Sequence, residues 1–110
     1  MNIKEKVGKG HSFLLILEDY YGSGWINSTI QAIENNIKPK SFEKMDLEVG
    51  WYSSEYEIIF EKDDLKVKIE VDDFGPIGII LKENVTEESK QKLREWATII
   101  AEEIERLKNV

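Results

Sequence analysis

The sequence predicts an α+β fold: an antiparallel β-sheet of about five strands in the order β-α-β-β-β-β-α, with both helices packed on one face. Three observations carry this reading. Between Met45 and Leu81 apolar and charged residues alternate with the period of two that belongs to half-buried strands. Those runs are broken only by short polar or Gly-Pro segments, the connections that make hairpins. Outside them lie two segments whose apolar residues recur at steps of three and four, as on one face of a helix.

Residues 1–10, with four charged residues and two glycines, read as a mobile lead-in or a short edge strand. Ser12 to Glu18 follows, apolar and bounded by Gly10 and Asp19, and its length and flanks favour a buried strand over the start of a helix. Tyr20 to Trp25 is turn-prone. From Trp25 the period becomes helical, with Ile26, Ile30, Ile33 and Ile37 on one face, Ser23 as the expected N-cap, and Asn35, Asn36 and Pro39 ending the helix. Lys38 to Ser41 is then a linker.

In the central meander Met45, Leu47, Val49 and Trp51 alternate with Asp46, Glu48 and Gly50. Tyr56, Ile58 and Phe60 resume the pattern after Ser53-Ser54, with Ile59 the one apolar residue pointing the wrong way. Asp63-Asp64 makes the next turn, but it lacks the glycine that two-residue hairpins favour, so Lys62 or a bulge is a candidate to join the loop. Leu65, Val67, Ile69 and Val71 alternate without error, and after the Gly75-Pro76 turn Ile77 to Leu81 is almost wholly apolar, which suits a central strand covered on both faces. Thr86 is placed to cap a last helix over 86–108, about 34 Å long at 1.5 Å per residue. Leu93, Trp96, Ala97, Ile100, Ile104 and Leu107 form its apolar stripe, widened by Ile99. Glu88 with Lys92 and Glu102 with Arg106 have the favourable i,i+4 spacing.

The 110 residues suffice for one domain with one core. There is no cysteine, which excludes disulfides, thiolate metal sites and thiol catalysis. The longest apolar run, Phe13 to Leu17, is far short of the roughly 20 residues of a membrane span, and no signal-peptide pattern opens the chain. The expectation is a cytoplasmic protein. A formal charge of −7 argues against a nucleic-acid backbone as partner. Over 45–83 acids outnumber bases 11 to 4, so the meander holds the whole net charge.

No residue pattern here carries catalysis. His11 is the only histidine, beside Lys9 and Ser12 near the amino terminus, and no acid is placed to orient it against Ser12 or Ser23. Asp63-Asp64 and Asp72-Asp73 sit at opposite ends of one strand, roughly 25 Å apart at 3.3 Å per residue, too far to share a cation. Gly22-Ser23-Gly24 lacks both the third glycine of a dinucleotide loop and the Gly-Lys-Ser/Thr of a P-loop. No cofactor or metal is therefore expected. Aromatic placement says more: Trp25, Trp51 and Tyr56 are in phase with the core, whereas Tyr20, Tyr21 and Tyr52 are out of phase beside turns, where they suit contact with a partner.

Charge and tyrosines together lead to the expectation of a small acidic binding protein that neutralises a basic protein partner, in the manner of bacterial immunity proteins that inhibit toxins, often nucleases. The expected contact residues are Tyr20, Tyr21, Tyr52, Glu55, Glu57, Glu61, Asp63, Asp64, Asp72 and Asp73, with Glu48 and Glu70 adding to the field. The alternative is a homo-oligomeric interaction domain without catalytic activity, a homodimer formed through outward aromatics and a sheet edge.

Overall fold

The computed structural model describes residues 3–21, 23–48, 54–72 and 75–108. Val49, Trp51, Tyr52 and Asp73, and with them the expected end of the first meander strand, lie outside those residues. The fold is α+β as expected, with six strands rather than five: β1 (Ile3–Val7), β2 (Phe13–Tyr21), α1 (Ile26–Ala32), β3 (Ser41–Glu48), β4 (Ser54–Lys62), β5 (Leu65–Asp72), β6 (Pro76–Leu81) and α2 (Glu87–Lys108). The sheet runs β1-β2-β6-β5-β4-β3 and every neighbouring pair is antiparallel.

The extra strand is β1, the edge-strand option for the first ten residues. Its residues 4–7 are exposed because nothing pairs with its outer side, and Lys4 and Lys6 blunt that edge. A tight turn over Lys9–His11, with Gly10 and His11 at positive φ, returns the chain into β2. At Gly8 the chains lie close: a Cβ would stand 2.5 Å from the Ser12 Oγ and 2.6 Å from the Leu14 Cδ1, so those side chains would have to shift to admit one.

β2 alternates strictly from Phe13 to Leu17 and then continues through Tyr20 and Tyr21, which the sequence reading assigns to a turn. Its pairing with β6 shifts between Leu17 and Tyr21, so the ladder resumes at Tyr21 opposite Pro76. That irregularity resets the phase. Strict alternation would send Tyr20 outward, whereas in the structure Glu18 and Asp19 are exposed and Tyr20 is only 1% exposed.

α1 begins after a 3-10 turn, Ser23–Trp25, and its N-cap is Trp25 without a side-chain hydrogen bond, not Ser23. The helix continues as a π-turn over Ile33–Ile37 and stops where Lys38 takes a left-handed conformation (φ 56°) and donates its N–H to the Ile33 carbonyl at 2.8 Å. Ile26, Ala32, Ile33 and Ile37 are buried, with Thr29 joining them by donating its hydroxyl to the Trp25 carbonyl. β3 starts at Ser41, four residues earlier than its apolar alternation indicates, because the Lys40 N–H already bonds the Glu61 carbonyl.

The β4–β5 connection is a two-residue turn after all. Lys62 pairs with Leu65, and Asp63 and Asp64 both take positive φ (52° and 64°), the geometry of a type I′ hairpin that aspartate tolerates. β6 is central, between β2 and β5, and Ile77, Ile79, Ile80 and Leu81 are buried, but among the described residues helices cover only one of its faces and not both as its apolar run suggests. At the start of α2 the Ser89 N–H bonds the Thr86 Oγ1 (3.0 Å) while Thr86 donates its own N–H to the Ser89 Oγ (2.7 Å), a reciprocal cap of the expected residue. The expected stripe of α2 is buried from Leu93 to Ile104, with Leu107 half-buried at the end. The i,i+4 ion pairs are replaced: Lys92 reaches Asp63 of the hairpin turn (3.1 Å), and Arg106 pairs with Glu103 at i,i+3, one residue nearer (2.5 Å).

The helices cover the sheet face that carries Leu15, Leu17, Ile58, Phe60, Val67, Ile69, Ile77, Ile79 and Leu81. Trp96 of α2 meets Phe60 edge-on at 5.6 Å between centroids, and Arg94 ties α2 to Glu5 of β1 on the same side (2.5 Å), which holds the Glu5 carboxyl below its usual range. Where the helices run out, at the β3–β4 end, Lys44 lies over the Tyr56 ring at 5.0 Å.

Candidate functional site: the uncovered face of the sheet

Residues directly opposite in an antiparallel ladder share a face, so the register alone sorts the sheet into two surfaces. One level across it reads Glu5, Leu15, Ile79, Ile69, Ile58, Lys44, and belongs to the helix side. The next reads Lys6, Leu14, Ile80, Lys68, Ile59, Glu43, and belongs to the other face, over which no helix lies among the described residues.

The expected acids of β4 come together on this open face. Glu55, Glu57 and Glu61 are alternate residues of one strand, flanked by Glu43 on β3 and Glu70 on β5. Asp63 and Asp64 form the turn beyond the end of β4 rather than part of this line, and the Asp63 carboxylate is drawn to Lys92 of α2 on the helix side, away from the open face. Asp72 ends β5 opposite Glu55. The acids are not alone, however. Lys68 stands between Glu70 (3.0 Å) and Glu57 (3.8 Å), and these partners raise its pKa, the hydrogen bond to Glu70 contributing most. Lys66 and Lys82 share with Glu57, Ile59, Lys68, Ile80 and Glu83 the rim of a shallow depression of about 330 Å³. The negative field is thus concentrated on the β3–β4 side, the cations lie on β5 and on β1, where Lys4 and Lys6 share the face, and the sheet has a charge gradient from edge to edge.

Of the expected tyrosines, Tyr20 is removed from this surface. Its ring lies in the core, edge-on to Trp25 at 5.7 Å, and its hydroxyl donates to a carboxylate oxygen of Glu105 on α2. Burial and that acceptor push its pKa well above the usual tyrosine value. Tyr21 ends β2, opposite Pro76, and Tyr52 lies outside the described residues.

The sequence reading misses the apolar half of the face. Leu14, Ile16 and Ile59 are half-buried and Ile80 is buried, although all four stand on the side away from the helices. Met45 joins them: it pairs with Glu57, so the apolar side of β3 at this point is the open side, not the helix side. The signal available was Ile59, the lone violation of alternation in β4, with Leu14, Ile16 and Ile80 hidden inside continuous apolar runs. His11 is exposed in the β1–β2 turn, and among the described residues no three metal-capable side chains gather. No helix among them is long and apolar enough to cross a membrane. Comparison of the chain with family models, curated proteins and solved structures finds no match.

Proposed function

We propose that the chain is a small, non-catalytic cytoplasmic binding protein that neutralises a basic protein partner, as bacterial immunity proteins do with toxins, nucleases among them. The observation that carries the reading is the placement of Glu55, Glu57 and Glu61 on one side of one strand, on a face left uncovered, with Glu43 and Glu70 beside them. Carboxylates so aligned raise the encounter rate with a positive surface and reject a negative one. Leu14, Ile16 and Ile59, half-buried within the charged rim, give the dry centre on which the lifetime of a complex depends. The opposite face supplies rigidity, since its core and two helices hold the strands in a fixed register.

The test is a capture experiment from the source cells, followed by kinetics with the captured partner. The wild-type chain is expected to retain a basic protein at low salt. Glu55→Lys, Glu57→Lys and Glu61→Lys combined, with unchanged circular dichroism, should lose it, and the association rate should fall steeply as salt is raised. A partner bound as well by the charge-reversed variant, or at a rate indifferent to salt, overturns the proposal.

A further inference from the structure

The row Lys6, Leu14, Ile80, Lys68, Ile59, Glu43 crosses the open face from the β1 edge to the β3 edge. It begins with a cation, ends with an anion and is largely apolar between. Turned end for end and laid upon itself, it sets Lys6 on Glu43 at both ends and Leu14 on Ile59 twice. Neither Lys6 nor Glu43 has an ion-pair partner within the chain among the described residues. We infer that the open face binds a second copy of this chain, sheet against sheet, about a two-fold axis parallel to the strands.

Charge selects that axis. A two-fold along the strands brings the β1 edge of one copy over the β3 edge of the other, cation over anion. A two-fold across the strands, along this same row, lays Lys6 on Lys6, Glu43 on Glu43 and Glu57 on Glu61, which repel. Packed sheets stand about 10 Å apart, a gap that a lysine and a glutamate extended towards each other close. At the centre Ile80 meets Lys68, whose ammonium is already held by Glu70 and Glu57 of its own chain, so that its methylene stem is what packs on the isoleucine. The neighbouring row contributes less, setting Lys4 on Met45 and Ile16 on Glu57.

Six strands at about 4.8 Å spacing and about 20 Å of strand length offer roughly 600 Å² per copy, the low end of specific interfaces, so the pair exchanges rather than being permanent. This goes beyond the proposed capture of a basic protein. Because the acidic strip lies on the same face, a second copy and a basic partner exclude one another.

Sedimentation velocity of the pure chain over a concentration series tests the inference with no other protein present, so its failure and that of the proposed capture are told apart. The wild type is expected to shift from monomer to dimer. Lys6→Glu alone and Glu43→Lys alone, each placing like charges at both ends of the interface, should each weaken dimerisation by roughly tenfold, and the two combined should restore it. Both residues are exposed on edge strands, and thermal melting confirms that the variants fold. A wild type that stays monomeric at the highest concentration, or a combined variant no better than the single ones, overturns it.

Discussion

Ile58 and Ile59 are neighbours in β4, yet they belong to different molecules in all but the covalent sense. Ile58 is fully buried between Ile69 and Lys44 under the helices, whereas Ile59, between Lys68 and Glu43, lies half-buried among charged stems. The same contrast holds across the sheet. The helix face is an apolar interior with polar groups engaged at its margins, such as Glu5 with Arg94 and Tyr20 with Glu105. The other face mixes isoleucine, lysine and glutamate in rows, with the composition of a contact surface rather than that of an interior. One face explains why the chain folds; the other is where its partners are expected.

That contrast is broken most sharply by truncating the two isoleucines in turn. Ile58→Ala removes methyls from a closed core and should cost about 2–5 kcal/mol in urea unfolding. Tyr20→Phe comes next: the Glu105 carboxylate loses a buried donor, at about 1–3 kcal/mol. This variant also has a pH signature. Because the folded state holds the Tyr20 proton well above the ordinary value of 10.0, the unfolded chain deprotonates first as pH rises through that value. The stabilisation is therefore complete below pH 10 and lost progressively above it in the wild type, and the loss should be smaller in Tyr20→Phe. If the two proteins lose stability in parallel at alkaline pH, the hydroxyl is not held as described.

Ile59→Ala should cost about 1–2 kcal/mol, less than Ile58→Ala, since the side chain stands on the uncovered face and keeps part of its surface in water, and should also weaken contact through the open face. A cost equal to that of Ile58→Ala would mean that the two faces are not different in kind. The smallest effect has the opposite sign. Asp64→Gly gives the hairpin the Asp-Gly dipeptide that a type I′ turn favours and should raise stability by about 0.5 kcal/mol without altering either face, measured by the urea midpoint.

Much of the architecture can be read from periodicity alone. The errorless alternation of β5, the continuous run of β6 and the stripe of α2 from Leu93 to Ile104 each permit one arrangement, and Thr86 marks its helix start by chemistry that works locally. β1 carries too few apolar residues to announce itself, since an edge strand buries little. The site was half legible: the shared side of Glu55, Glu57 and Glu61 follows from their spacing, but the lysines beside them, Lys66 and Lys68, come from β5, which only pairing brings alongside.

What the amino-acid sequence determined by itself is therefore the elements from β2 onward, their type and the acidic cast of the meander, but not β1 or the full length of β2, because turns, caps and side-chain periods act over a few residues. Tertiary structure alone decided the rest. Alternation says that the sides of a strand differ but not which side faces the helices, so Met45 could be placed only once β3 had paired with β4. Tyr20 changed sides because the β2–β6 ladder slips after Leu17, an event with no local signature. And the row from Lys6 to Glu43 spans six strands, so its symmetry exists only in the assembled sheet.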